Sequence, residues 1–183
     1  MEKTMLTQTD TAIIIVDVQD KLTAVIHNRE LLVANLSKLV RGARALGLPI
    51  IWVEQVPDRM GPTIPELREL LAGSTPIPKR TFSCAGDPAF MKALQNTGRR
   101  TVLLAGIETH VCIAQTATDL ADAGYQVCVV ADAVSSRTPE NRQIGLDIVR
   151  QGGGSITGVE SLLFRLLGSA DHPAFKEILR IVK

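Results

Sequence analysis

Cys112 stands where the apolar run Thr101-Val102-Leu103-Leu104-Ala105 gives way, through Gly106-Ile107-Glu108-Thr109-His110-Val111, to the helical spacing of Ile113 to Gly124. A thiol at such a strand-to-helix corner meets unpaired backbone N–H groups and the positive end of a helix dipole, which favour thiolate over thiol. A drop of about two units from the free value makes a cysteine mostly thiolate at neutral pH, a change worth roughly 2.7 kcal/mol. Cys112 is therefore a candidate nucleophile, with a small buried hydrophobe as the competing reading of a lone cysteine. Asp17 closes an apolar segment within Ile15-Val16-Asp17-Val18-Gln19-Asp20. A carboxylate there is either a proton acceptor or a loop cap. Lys79, in Pro78-Lys79-Arg80-Thr81-Phe82-Ser83, is a third candidate, although most lysines belong to solvated faces.

These residues need elements to position them. Thr11–Asp17, Pro49–Glu54, Thr101–Gly106 and Gln126–Ala131 are short, rich in Ile and Val, and read as strands buried on both faces, as in a parallel sheet. Helical spacing fills the gaps: Leu31, Leu32, Leu36, Leu39, Val40 and Ala43 ending at Gly47, then Asp87–Gly98 with Asp87 as N-cap, and Pro139–Gln151. A short strand at Ser155–Thr157 and helices over Val159–Leu167 and Pro173–Val182 follow, the last capped near Asp171. The Pro-rich excursion from Val56 to Cys84 is expected to hold a helical turn at Pro65–Leu71 and a strand near Ile77, and to shape a site. Alternating strand and helix predict one α/β domain over residues 1–183, a three-layer α/β/α sandwich with a mainly parallel central sheet. The C-terminal ends of parallel strands share one edge, where ligands bind, so Asp17 and Cys112 are expected to face each other.

Composition excludes several other functions. A chain of 183 residues with 45% apolar residues can build a substantial core. A net charge of +1 and 3% aromatics offer neither a basic field nor stacking platforms, so no nucleic-acid partner is expected. Near the start, the longest apolar run is Ala12–Val16, so no membrane partner is expected. Met1-Glu2-Lys3-Thr4 lacks a leader pattern, and the odd set Cys84, Cys112 and Cys128 contains no C-x-x-C pair, which points to the reducing cytoplasm. No Gly-x-Gly-x-x-Gly or Walker loop is present.

Asp17-x-Gln19 after an apolar strand, Lys79 before Phe82-Ser83, Gly106-x-x-Thr109-x-x-Cys112 and Ala131-Asp132-Ala133 occur in the order found in a known family. On these motifs the chain resembles the isochorismatase-like cysteine hydrolases, whose fold is Rossmann-like. Glu54-Gln55, Gly61-x-Thr63-x-Pro65-Glu66-Leu67 and Asp132-Ala133-Val134-Ser135-Ser136-Arg137 bring it nearest to the isochorismatase domain-containing subgroup.

The resemblance implies a catalytic triad in which Cys112 attacks a carbonyl carbon, Asp17 moves the proton, and Lys79 binds both. It further implies a cis peptide at Ile107–Glu108, so that the N–H groups of Glu108 and Cys112 form an oxyanion hole while the Glu108 carboxylate stands aside. A small-molecule substrate would lie near Gln19, Leu22, Gln55, Phe82 and Val111, in a homo-oligomer without a cofactor. Nicotinamidases of this family hold a metal through Asp-x-His after the second strand. Here Val53-Glu54-Gln55-Val56-Pro57 stands instead and the chain has three histidines, so no metal site is expected. The implied reaction is hydrolysis of a small amide, ureide or related C–N bond through a thioester. Alternatives are metal-free nicotinamide hydrolysis, ether cleavage, a binding scaffold with an unused triad, or a redox pair of Cys84 and Cys112. His110 is expected to be a corner residue, Cys128 core, and Cys84 either core or at the pocket entrance.

Overall fold

The structure, a computed structural model, describes residues 6–183; Met1–Thr4, discussed above for lack of a leader pattern, lie outside the described residues. Strand β1 spans Thr11–Val16, and helices α1 (Asp20–Thr23) and α2 (Arg29–Ala45) lead to β2 (Ile50–Gln55). The Pro-rich excursion holds α3 (Pro57–Met60), α4 (Pro65–Leu70) and β3 (Ile77–Lys79). A 3-10 turn (Cys84–Gly86) precedes α5 (Pro88–Asn96) and β4 (Thr101–Ile107). A π-helical turn (Thr109–Ile113) then opens α6 (Ala114–Asp122), followed by β5 (Gln126–Ser135), α7 (Pro139–Gln151), β6 (Ser155–Thr157), α8 (Val159–Leu167) and α9 (Phe175–Val182).

The strands pair in the order β3-β2-β1-β4-β5-β6, every neighbour parallel. Side-chain alternation along β1 separates two cores. Ile13 and Ile15 pack with Leu36 and Leu39 of α2 and Leu162 and Leu163 of α8. Ile14 and Val16 pack on the other face with Phe90 and Leu94 of α5, Leu120 of α6 and Leu146 of α7. The result is the three-layer α/β/α sandwich. Because the chain winds from β1 toward β3 and then returns across the sheet to β4, the β1/β4 boundary is a topological switch point, with a crevice outside the strand ends.

Local chemistry sets the helix starts. The Asp87 carboxylate accepts from the N–H of Ala89 (2.9 Å) and Phe90 (3.1 Å), with Pro88 in the first turn. Thr138 caps α7 in the same way, accepting from Asn141 N–H at 3.2 Å. The last helix differs from expectation. It begins at Phe175, and the ring of His172 accepts the Ala174 N–H at 3.1 Å, while Asp171 is held in a preceding turn by Ser169 Oγ. Asp171 therefore caps the turn and not the helix.

At the switch point β4 must pass close to β1. Gly106 has φ +116°, and a Cβ there would sit 2.1 Å from the Val16 carbonyl oxygen. No side chain fits, and the register of β4 against β5 shifts at this position. Replacing Gly106 with Ala is expected to destabilise the chain by about 3 kcal/mol or more, read as a lowered midpoint in urea denaturation.

Candidate active site

Three strand ends deliver the expected triad to one place. β1 stops at Val16 because Asp17 turns out of the sheet in the left-handed region, φ 54°, while its N–H still reaches Val53 O at 3.2 Å. A non-glycine residue held there is strained, and such strain concentrates at functional sites. Gln19 then substitutes for the missing strand. Its Oε1 accepts the Gln55 N–H at 2.7 Å and its Nε2 donates to Gln55 O at 3.1 Å, as a paired strand would. Nε2 also donates to Gly61 O at 2.6 Å.

Lys79 ends β3 directly opposite Gln55 in the sheet register. It is only 1% exposed, among the largest fully buried side chains of the molecule. Its Nζ lies 2.8 Å from Asp17 Oδ2. It donates to Gln55 Oε1 (2.5 Å), Thr81 O (3.1 Å) and Phe82 O (3.2 Å), and reaches Cys112 Sγ at 3.8 Å. Beyond the Lys79 contact, neither Asp17 carboxylate oxygen has a hydrogen-bond partner among the described residues.

Cys112 lies within the π turn, a distortion common at functional sites. The Ile107–Glu108 peptide bond before it is cis. The Glu108 carbonyl accepts from Val111 N–H (3.1 Å) and, five residues on, from Ile113 N–H (3.2 Å), so its bonds fall on either side of the Cys112 N–H. The turn is packed from behind by α7. Gly145 approaches so closely that a Cβ there would lie 2.5 Å from Thr109 C and 2.6 Å from His110 N.

The electrostatics correct one expectation. Burial pushes the Cys112 thiol well above its ordinary value, the Asp17 charge adds to this, and Lys79 alone among the neighbouring charges opposes it. The helix-start effect therefore does not leave a resting thiolate; Cys112 keeps its proton. Burial likewise raises the Asp17 carboxyl above 3.8, against the pull of Lys79. Burial would lower Lys79, but its neighbours, led by the Asp17 charge and including the hydrogen bond to that carboxylate, outweigh it and raise the ammonium above 10.5. All three groups thus hold their protons more tightly than they would in water, and the carboxyl becomes a stronger base beside its cation.

The expected substrate-contact residues separate. Gln19 is fully buried and its amide is committed to the backbone, so it braces the site instead of lining a pocket. The Gln55 amide is likewise engaged, by Lys79 and by Arg80 O (3.0 Å). Phe82 is 57% exposed on the surface. Leu22 packs beside the α2/α8 core and Val111 beside the opposite one. A depression of about 480 Å³ nearby is lined by Val56, Pro57, Pro78 and Arg80, among others, and by none of these five.

His110 bonds Ser136 Oγ at 3.0 Å, and Ser136 Oγ also accepts the Thr109 N–H at 3.1 Å, so His110 braces the corner. The Glu108 carboxylate turns away to the Arg137 N–H and Nε, both at 3.1 Å. Asp132 accepts the Val159 N–H (2.9 Å) at the start of α8. Cys84 and Cys128 are buried free thiols.

Sequence reading missed Glu54. Its buried Oε1 accepts both the N–H (2.7 Å) and the hydroxyl (2.8 Å) of Thr63, fixing the Pro-rich excursion over the strand ends. The signal was present in the paired wording Glu54-Gln55 and Gly61-x-Thr63. With Glu54 so engaged, and no group of three or more His, Cys, Asp or Glu placed to hold a metal among the described residues, the residues present do not fit a nicotinamidase-type metal.

The ion pair gives a testable signature. A raised Lys79 contributes stability that is complete below 10.5 and fades as pH rises through its higher folded value. Lys79→Met should cost about 3–5 kcal/mol near pH 7, because a buried carboxylate loses its cation. That cost should shrink as pH falls through the raised value of Asp17, whose protonation removes the uncompensated charge. Urea unfolding of Lys79→Met and wild type near pH 7.5 and near pH 4.5 checks the cost and its decline, and wild-type unfolding followed above pH 10.5 checks the fading.

Comparison with known proteins agrees with this architecture. The model of the isochorismatase domain matches residues 11–161. The isochorismatase domain-containing protein 2 of Bos taurus is 42% identical over 168 residues, covering 91% of this chain and 80% of that protein. A structure described as the MAR1 ribonuclease from Caenorhabditis elegans superposes with a TM-score of 0.91 at 36% identity, covering 97% of this chain and 92% of that one. YcaC from Pseudomonas aeruginosa, described with hexane-2,5-diol and covalent acrylamide, gives a TM-score of 0.92 at 26% identity over 99% and 93% of the two chains. The chain belongs to the isochorismatase family of hydrolases.

Proposed function

We propose that this chain is a cysteine hydrolase of a small amide, ureide or related C–N bond, working through a thioester. The observation that carries the reading is the buried Lys79 ammonium, 2.8 Å from the Asp17 carboxylate and 3.8 Å from the Cys112 sulfur. As Cys112 Sγ attacks the carbonyl carbon, its proton passes to Asp17, a base strengthened by burial. The carbonyl oxygen becomes an oxyanion, stabilised by the N–H groups of Glu108 and Cys112. The C–N bond then breaks as Asp17 returns the proton to the leaving nitrogen. Water attacks the thioester, gives a proton to Asp17, and the C–S bond breaks; that proton restores the Cys112 thiol. Lys79 stays a cation throughout and stabilises the single negative charge as it moves between Asp17 and sulfur.

Two further observations bear on this reading. The Pseudomonas relative is described with covalent acrylamide, an electrophile that nucleophiles add to at its alkene carbon, which supports a reactive nucleophile in this fold. The Caenorhabditis relative is described as a ribonuclease, but a net charge of +1 offers this chain no phosphate-binding field, so a small neutral amide is preferred over RNA. We extend the proposal to a cytoplasmic homo-oligomer. Three buried free thiols suit a reducing compartment, and Ile144 and Ile148 stand exposed one turn apart on α7. No helix among the described residues is long and apolar enough to cross a membrane.

A second reading, a binding scaffold with an idle triad, is favoured by the 7% exposure of Cys112 and its retained proton. A panel of small amides and ureides separates the two. Turnover by the wild type that falls about 10³-fold or more in Cys112→Ala supports the hydrolase; identical, negligible turnover by both supports the scaffold.

A further inference from the structure

The buried lysine raises a question that the triad does not answer: what keeps a flexible four-carbon side chain pointed at two partners? Lysine has three ammonium hydrogens and high rotamer freedom, so its direction must be imposed. Thr81 O and Phe82 O belong to the loop immediately following Lys79 and move with it. Gln55 is different. It lies on the neighbouring strand, opposite Lys79 in register, and its Oε1 makes the shortest contact to Nζ, 2.5 Å.

Gln55 is itself fixed at three points. Its backbone N–H and carbonyl are both held by the Gln19 amide, at 2.7 and 3.1 Å, and its Nε2 donates to Arg80 O at 3.0 Å. The Arg80 bond also decides which end of the amide faces the ammonium: with Nε2 committed to a carbonyl, only Oε1 is presented to Nζ. The chain leaves Gln55 under strain, since Val56, a β-branched residue, is held at φ 38°.

We propose that Gln55 is a positioning residue for catalysis: its side-chain oxygen, locked by Gln19 and Arg80, holds the Lys79 ammonium against Asp17 and within reach of Cys112. This rests on the triad reading above. Gln55 touches no reacting atom in this scheme; it acts through Lys79. It also gives the Asp-x-Gln motif a physical role, because Gln19 is the first link of a chain running Gln19, Gln55, Lys79. The ionisable groups around Nζ are Asp17 from the end of β1, Cys112 from the π turn and Cys84 from the 3-10 turn. Asp17 and Cys112 together carry one negative charge at neutral pH, and the oriented cation stabilises it.

Alkylation of Cys112 by iodoacetamide, followed by intact mass and peptide mapping across pH, tests this without a known substrate. On the acid side the rate falls as the shared negative charge is neutralised, so the midpoint of that limb reports how well Lys79 stabilises it. Gln55→Met, which keeps length but loses the oxygen, should move the midpoint up by about one pH unit, a tenfold loss of rate on that limb. Gln55→Glu keeps an oxygen but adds a second negative charge beside the ammonium, and should move it up as well. Lys79→Met is the control. If it shifts the limb upward while both Gln55 variants, folded by circular dichroism, stay within about 0.3 unit of wild type, the positioning role is overturned and the triad stands. If Lys79→Met leaves the limb unmoved, the triad reading fails and the Gln55 proposal fails with it. A loss of thermal stability in Gln55→Met with an unmoved limb identifies a merely structural glutamine and overturns the proposal.

Discussion

A cation and an anion buried together at the ends of two strands are the constraint around which this molecule is arranged. Removing a carboxylate and an ammonium from water costs several kcal/mol for each ion, and their attraction offsets this only when geometry is close and the remaining hydrogens find acceptors. The structure supplies that geometry from three separate segments: Asp17 after β1, Gln55 on β2, and the Thr81 and Phe82 carbonyls beyond β3, all converging on one nitrogen. The strain lies beside the charge. Asp17 and Val56, each immediately following a strand, are both held at positive φ. Neither conformation helps the sheet, and both are forced by what must meet at its edge.

The crevice that receives this pair follows from topology. Parallel strands wound in opposite directions from β1 leave a gap between the connections, and the thiol enters that gap from β4. Two contacts without side chains bring it there: Gly106 against the backbone of Val16, and Gly145 against the backbone of Thr109 and His110. The thiol arrives protonated because the same burial that strengthens Asp17 as a base disfavours charge on sulfur. In the proposed reaction the proton acceptor and its cation, more than the helix end, would draw the proton from sulfur.

Much of this was legible in the residues. Strands rich in Ile and Val announced the sheet, Asp87-Pro88 and Pro139 announced helix starts, and the family motifs singled out Asp17, Lys79 and Cys112, which the fold brings together. What could not be read were long-range polar partners. Nothing local says that Glu54 will accept two hydrogens from Thr63, or that the Gln19 amide will imitate a strand along Gln55, because those bonds exist only once the Pro-rich excursion folds back. The engagement of the Gln19 and Gln55 amides was hidden for the same reason: proximity to a motif does not tell whether an amide is free or already engaged. The dipole argument for Cys112 was sound as a local statement and lost to desolvation, a property of the whole fold.

The meeting of α7 with the turn that carries Cys112 has a mechanical side. Most helices rest on their neighbours through side chains, which rotate and absorb small displacements. At Gly145 there is no such cushion, and helix backbone lies on the backbone of Thr109 and His110. The position of α7 and the position of the peptide units beside Cys112 are therefore set by one contact, with no side chain between them to take up a displacement. Ile144, next to the glycine, faces solvent on the outer surface of the same helix.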